Sequence, residues 1–208
     1  MVPSFAEEGQ EVGTEPIFDD KLLLNGYTEK FSDQTKDFLL AMIQDENLDN
    51  PFQMAAAVRV FKEKFSQEIF NREKVIVEKI LLRRLHRADS AFVQVEIMHT
   101  LCRMDRFKYF DSMIPVLIQK LDHYNETVNE MAYTGLQDMV NTGHNRAREA
   151  RIIFNTLRKV LFLTRRRLAN VTEPDARLKQ KLTLLRWSIK VLGSQELNRL
   201  PKEVINLL

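Results

Sequence analysis

The feature that most constrains this chain is a pair of helical segments joined by a short polar turn, in residues 113–139. In the first segment Ile114, Leu117, Ile118 and Leu121 recur at steps of three and four, which places them on one side of a helix. The second segment has the same spacing and includes small residues: Val128, Met131, Ala132, Gly135, Leu136 and Met139. Small residues let two helix backbones approach closely. The stretch therefore predicts two antiparallel helices that pack on each other.

The polar turn between the two segments supplies residues suited to begin the second helix. Asn125 or Thr127 is predicted as its N-cap, because these side chains accept hydrogen bonds from free backbone amides. Thr127 and Glu130 also have the spacing of a capping box.

The order of residues in this stretch resembles a HEAT repeat. The matching positions are Pro115, Leu117, Leu121, Asp122, Val128, Ala132 and Leu136. One position departs from the pattern, because Asn129 stands where such repeats usually carry Arg. We expect Asn129 on the outer side of the second helix, where its replacement should have little effect on stability.

Looser copies of the unit occur on both sides of it. A preceding copy begins about 36 residues earlier, with Leu81, Leu85, Asp89, Val93 and Ile97 in nearly the same order. The resemblance to HEAT and armadillo repeats covers roughly residues 38–192. Periods of about 36–47 residues in helix pairs are typical of such arrays.

Composition also predicts an all-α fold. Only 6 glycines and 6 prolines occur in 208 residues, and long periodic segments are rich in helix-forming residues. The resemblance implies a short right-handed solenoid of antiparallel helix pairs, with about four repeat units plus capping helices. We predict an acidic, disordered tail in residues 1–16 and a single HEAT-like domain in residues 17–208.

The sequence contains no apolar run long enough to span a membrane and no complete signal peptide. A cytoplasmic location is the favoured expectation. Residues 2–6 have small residues at Ser4 and Ala6, which resemble the end of a secretory cleavage site, so export is the alternative.

No motif for catalysis, cofactor binding or metal binding is recognisable. The single cysteine, Cys102, is predicted to be a buried and inert thiol. The four histidines lie in separate segments without a convincing set of further metal ligands: His86, His99, His123 and His144. We therefore expect a non-enzymatic protein with no cofactor.

Charge is unevenly distributed along the chain although the net charge is only +2. Residues 1–60 contain 4 basic and 12 acidic residues, whereas residues 141–208 contain 15 basic and 5 acidic residues. The predicted partner-binding residues are Arg148, Arg151, Arg158, Lys159, Arg165, Arg166, Arg177, Lys179, Lys181 and Arg186. The pattern indicates either a solvated face or an interaction module that binds an acidic protein segment.

Nucleic acid is the alternative partner. Alkylpurine DNA glycosylases of HEAT-like fold have a similar length and a basic concave face, but they pair tryptophans with an acidic residue at the lesion. This chain has one tryptophan, Trp187, on an apolar helix face that favours the core. The glycosylase alternative is therefore weaker than simple nucleic-acid binding. The sequence does not indicate an oligomeric state.

Overall fold

The structure of the chain, a computed structural model, describes residues 20–142 and 146–208. Every regular element in these two ranges is a helix, as composition predicted. The helices are α1 (Asp20–Phe31), α2 (Lys36–Gln44), α3 (Pro51–Phe65), α4 (Asn71–Arg87), α5 (Ala91–Met104), α6 (Phe110–Lys120), α7 (Glu126–Thr142), α8 (Arg146–Leu168), α9 (Ala176–Leu192), a 3₁₀ helix (Ser194–Arg199) and α10 (Lys202–Ile205). The predicted tail in residues 1–16 lies outside the described residues.

Side chains at several helix starts satisfy backbone amides that have no partner within the helix. Asn50 Oδ1 accepts from the amides of Phe52 (3.0 Å) and Gln53 (3.1 Å), and Pro51 occupies the first turn of α3. An Asn–Pro pair in the sequence predicts such a helix start, with Asn as the N-cap and Pro at the first helical position. Asn125 Oδ1 accepts from the Val128 amide at the start of α7 (3.3 Å).

Local signals in the sequence predict a helix that ends at Gly26, a connection over residues 144–149, and a helix with Pro174 just inside its start. The structure places these three boundaries differently. Gly26 lies inside α1 and does not end it, because Tyr27 and Phe31 continue the apolar side of the helix. The α8 helix begins at Arg146, within the segment predicted to be a connection. Pro174 precedes α9, because the side chain of Asp175 accepts from the Leu178 amide and caps the helix (2.7 Å).

Helix contacts follow a regular order along most of the chain. The α2, α4, α6 and α8 helices each pack against the helix that follows, and α1, α3, α5 and α7 contact one another in succession. Contacts also join α2 to α4 and α6 to α8. In the described residues no comparable contact joins α4 to α6, where Lys108 Nζ donates to Glu78 Oε1 (2.6 Å).

Buried apolar side chains form one cluster that extends from Leu24 in α1 to Val204 in α10. Leu121, at the end of α6, is completely buried, in agreement with the predicted helix face.

The prediction for Asn129 is wrong, because its side chain is only 4% exposed. Its amide group donates to the Leu121 carbonyl and exchanges two hydrogen bonds with the Gln180 amide (3.1 Å each). Asn129 thus connects α6, α7 and α9.

Candidate functional site on the basic C-terminal helices

The α8 helix separates an apolar side from a basic side. Ile153, Phe154, Leu157 and Leu161 are buried, and α8 packs against α6, α9 and α10. Because these residues recur at helical spacing, the arginines and lysines between them point away from the core.

Four of the ten predicted partner-binding residues form ion pairs within the chain. The pairs are Arg148 with Asp111 (2.7 Å), Arg151 with Glu196 (2.6 Å), Lys179 with Glu173 (3.6 Å) and Lys181 with Asp122. Lys181 is also buried. Much of the positive charge counted in the sequence is therefore neutralised locally.

Three more of the predicted residues donate to backbone carbonyls. The contacts are Arg165 with Phe162 (2.8 Å), Arg177 with Tyr124 (3.4 Å), and Arg186 with Leu207 (3.0 Å) and Leu208 (3.1 Å). Arg165 also places its guanidinium 4.0 Å from the centre of the Phe162 ring. Arg165 thus folds back along α8, whereas Arg177 and Arg186 connect α9 to the α6–α7 turn and to residues 207–208.

Arg158, Lys159 and Arg166 complete the predicted set. Among the described residues no hydrogen bond or ion pair engages them, and Lys159 and Arg166 are exposed. Arg167 is exposed in the same way and was missed, although it belongs to the run of three arginines in the sequence. These side chains retain their capacity to bind an external anion.

Two large apolar side chains lie among these cations. Phe162 is 50% exposed and Leu163 is 81% exposed. At 100° per residue, Lys159, Phe162, Leu163 and Arg166 fall within a sector of about 100° on the helix surface. We call these four residues the α8 face. It combines two apolar groups with two unengaged cations, as in surfaces that bind peptides or proteins.

A second polar cluster, in the interior, was not predicted from the sequence. Glu96 Oε1 accepts from Arg59 Nε (2.7 Å), and Glu96 Oε2 accepts from Lys62 Nζ (2.6 Å). Lys62 Nζ lies 3.1 Å from His99 Nδ1, and His99 Nε2 lies 2.9 Å from Asp138 Oδ2. These five residues form a continuous ion chain across α3, α5 and α7. Its partners are 34–39 residues apart, close to the period seen in the sequence.

The ion chain perturbs the pKa values of its members. Burial raises the pKa of Glu96, but the Lys62 and Arg59 cations outweigh it and lower that pKa to about 2. Burial, followed by the Lys62 ammonium, lowers the pKa of His99. A neutral His99 can accept from Lys62 at Nδ1 and donate to Asp138 at Nε2, which satisfies both ring nitrogens.

The absence of a side chain at Gly135 leaves room for the His99 ring between α5 and α7. A Cβ atom on residue 135 would lie 3.2 Å from both Cγ and Nδ1 of that ring. A groove of about 320 Å³ borders the ion chain, and Lys21 Nζ reaches Glu130 Oε2 across its edge (2.8 Å). Each of the five side chains has a partner in the ion chain, and none of their buried polar atoms lacks a hydrogen bond, so we assign this cluster to helix packing.

The structure also locates the single cysteine and shows how the potential metal ligands are arranged. Cys102 is buried, and burial raises the pKa of its thiol to about 12. No group of three or more potential ligands in residues 20–142 and 146–208 is arranged to hold a metal ion. Among the helices that the structure describes, none is both long and apolar enough to cross a membrane.

Comparisons with protein-family models, curated protein sequences and solved structures found no match. Function must therefore be inferred from the contacts and charges of the chain itself.

Proposed function

We propose that this protein is a HEAT-like helical-repeat interaction module, and that the α8 face binds an acidic protein segment. The observation that carries the proposal is the exposure of Phe162 and Leu163 beside Lys159 and Arg166, which are not engaged by the chain's own acids. Apolar anchors supply affinity, and unengaged cations select an acidic partner.

The order of contacts supports a repeat array. Hydrogen bonds between successive helix pairs recur at nearly constant separations: Arg84 with Leu48 (36 residues), Gln67 with Arg103 (36), Arg106 with Thr142 (36), Arg59 with Glu96 (37) and Arg148 with Asp111 (37). Such regularity is expected when each helix pair packs on the next in the same way. We propose a short right-handed solenoid on this basis and on the resemblance of residues 113–139.

The α8 face favours a peptide over nucleic acid. Seven of the ten predicted basic residues already hydrogen-bond or form ion pairs within the chain. Binding to duplex DNA draws its affinity from many phosphate contacts, often six to ten. A surface with two exposed apolar groups among a few cations is better suited to a peptide that carries both an apolar side chain and carboxylates.

Peptide display tests the proposal with ligands of unrestricted sequence. A random peptide library would be selected on the full chain, with counter-selection on Lys159→Glu/Arg166→Glu. We expect enriched peptides to combine Asp or Glu with at least one large apolar residue. The reversed protein should bind them more weakly by at least about tenfold, since two attractive contacts become repulsive.

Two controls separate a binding surface from general charge. Lys190→Glu/Lys202→Glu causes the same change in net charge at exposed positions off the α8 face and should leave binding unchanged. Leu163→Ala should weaken binding while leaving the charge unaltered. If no peptide depends on the α8 face, the basic side of α8 is only solvated and the proposal is wrong.

Salt dependence tests the alternative partner. Peptide binding with apolar anchors should weaken modestly between 50 and 200 mM salt, whereas six to ten phosphate contacts would lose about 10³–10⁵-fold. Tight, steeply salt-dependent binding of duplex or single-stranded DNA would replace the protein partner with nucleic acid.

A further inference from the structure

A basic cleft lies away from α8, between the C-terminal end of α2 and the C-terminal half of α4. It has a volume of about 530 Å³, and four cations line it: Lys79, Arg83, Arg84 and Arg87. Glu46 is the one acidic residue among the described residues that line this cleft. The cleft therefore carries an excess of positive charge.

Two of these cations are held by the chain and two are not. Arg84 donates to the carbonyls of Leu48 (2.8 Å) and Asp45 (3.3 Å), and Arg87 pairs with Glu46. In contrast, Lys79 and Arg83 are exposed and have no hydrogen bond or ion pair to other described residues. The fixed arginines shape the end of the cleft, and the other two cations can bind a ligand.

Stabilisation of the helix dipole does not account for this pattern. Cations in the last turn of a helix offset the partial negative charge of its free carbonyls, and Arg84 and Arg87 occupy that turn in α4. Lys79 and Arg83 precede the last turn, whereas the stabilising effect of the helix dipole is confined to that turn.

The spacing of the cations indicates the shape of the ligand. Lys79, Arg83 and Arg87 are successive at four-residue steps, so they follow one side of α4 with a rise of about 6 Å per step. Side chains on one side of an extended peptide recur every second residue, at about 6.6 Å. Carboxylates at alternate positions of an extended segment would therefore match the three cations in turn.

We propose that the α2–α4 cleft binds an extended acidic peptide segment with carboxylates at alternate positions. Lys79 and Arg83 form the principal contacts, and Arg87 contributes at the other end of the row by sharing its guanidinium with Glu46. A peptide is favoured over single-stranded nucleic acid because no aromatic side chain is present among the cleft-lining residues described, and bases bind such grooves by stacking on aromatic rings. The proposal concerns a surface separate from the α8 face and does not depend on it.

Two peptides of equal composition test the match of spacing. A fluorescent Glu-Thr-Glu-Thr-Glu-Thr peptide and its Glu-Glu-Glu-Thr-Thr-Thr isomer, both with blocked ends, would be titrated with the full chain in anisotropy measurements. We expect the alternating peptide to bind more tightly by at least about threefold, since three exposed ion pairs form with one peptide and fewer with the other. Equal affinity for the two isomers would overturn the proposed spacing.

Matched variants locate the binding site. Lys79→Glu/Arg83→Glu should weaken binding of the alternating peptide by about tenfold or more. Arg72→Glu/Lys190→Glu changes net charge by the same amount outside both proposed surfaces and should retain binding. If the two double variants lose binding equally, the peptide responds only to net charge, and the cleft is not a site. Stronger displacement by a single-stranded oligonucleotide than by unlabelled peptide would overturn the assignment of the ligand.

Discussion

The ammonium of Lys62 lies 3.1 Å from Nδ1 of His99, in the interior where α3 meets α5. Both residues are buried: Lys62 is 6% exposed and His99 is 5% exposed. This contact is favourable while His99 is neutral, because Nδ1 can then accept a hydrogen bond. Protonation of His99 would instead place two cations side by side, and Glu96 and Asp138 would have to offset their repulsion.

Stability should therefore fall as pH decreases below about 6.5. The pKa of His99 in the folded protein is lowered from 6.5 by burial and by Lys62, so the unfolded chain binds a proton at a higher pH than the folded chain does. Uptake of one proton on unfolding corresponds to a slope of up to about 1.4 kcal/mol per pH unit. Urea unfolding at pH 7.5, 6.5 and 5.5 measures it. Below about pH 4.5, protonation of Glu96 in the unfolded chain should cause a further loss.

Two glutamine variants identify the residue responsible. His99→Gln offers an acceptor to Lys62 and a donor to Asp138 without the ability to titrate, and it should flatten the slope between pH 7.5 and 5.5. Arg59 and Arg103 also face this cluster, through their contacts with Glu96 (2.7 Å) and Asp138 (3.5 Å). His123 has a pKa lowered by partial burial and then by Lys120, but it lies nearer the surface, so His123→Gln should remove less of the slope. An unchanged slope in His99→Gln would contradict the assignment.

The buried amide of Asn129 should be important for stability. Asn129→Ala removes the donor to the Leu121 carbonyl and leaves the Gln180 amide without its partner. An unsatisfied buried polar group costs about 1–3 kcal/mol, and we expect a loss of that size in urea unfolding. Gln137→Ala, an exposed substitution on the same helix, should change stability by less than about 0.5 kcal/mol. Equal effects would show that the Asn129 contacts contribute little.

Leu121 provides a test of core packing at the end of α6. It is fully buried, so Leu121→Ala should reduce the free energy of unfolding by about 2–5 kcal/mol through lost apolar contact and the remaining cavity. Leu163→Ala removes the same atoms from a side chain that is 81% exposed, and should cost less than about 0.5 kcal/mol. A loss below about 0.5 kcal/mol at Leu121 would place it outside the core.

Helical periodicity was sufficient to predict the helix class and the buried side of α6, and the Asn50–Pro51 pair predicted the capped start of α3. These features depend on residues close in sequence, such as Leu117 with Leu121 and Asn50 with Phe52. The boundaries of α1 and α9 were harder to predict, because they depend on whether Tyr27 packs or Asp175 caps. Such choices follow from tertiary contacts as well as from local preference.

The ion chain and the true extent of the basic surface could not be read from the sequence. Glu96 and Lys62 are 34 residues apart, and only the packing of α3 against α5 makes them partners. Likewise, Lys181 looks like the other cations in the sequence, yet it is buried beside Asp122 because α9 approaches the end of α6. Periodicity predicts which side of a helix faces inward, but it does not predict which charged residue, distant in sequence, will be the ion-pair partner of a given side chain.

The last prediction concerns the energetic coupling of Lys62 and Glu96. Glu96→Gln would leave the Lys62 ammonium buried without a counter-charge, since the other near group, Nδ1 of His99, is neutral. Removing one partner of a buried pair typically costs about 3–5 kcal/mol, and we expect a loss in this range. Combining this change with Lys62→Met removes the orphaned charge, so the double variant should be more stable than the sum of the two single losses predicts. Because paired residues in contact couple by about 0.5–3 kcal/mol, a double-mutant cycle from urea unfolding can resolve the effect.

Lys36→Met/Glu73→Gln, at a more exposed pair joining α2 and α4 (2.9 Å), is the matched cycle and should show coupling of at most about 1 kcal/mol. Strict additivity at Lys62 and Glu96 would mean that water, rather than the partner side chain, stabilises the Lys62 charge.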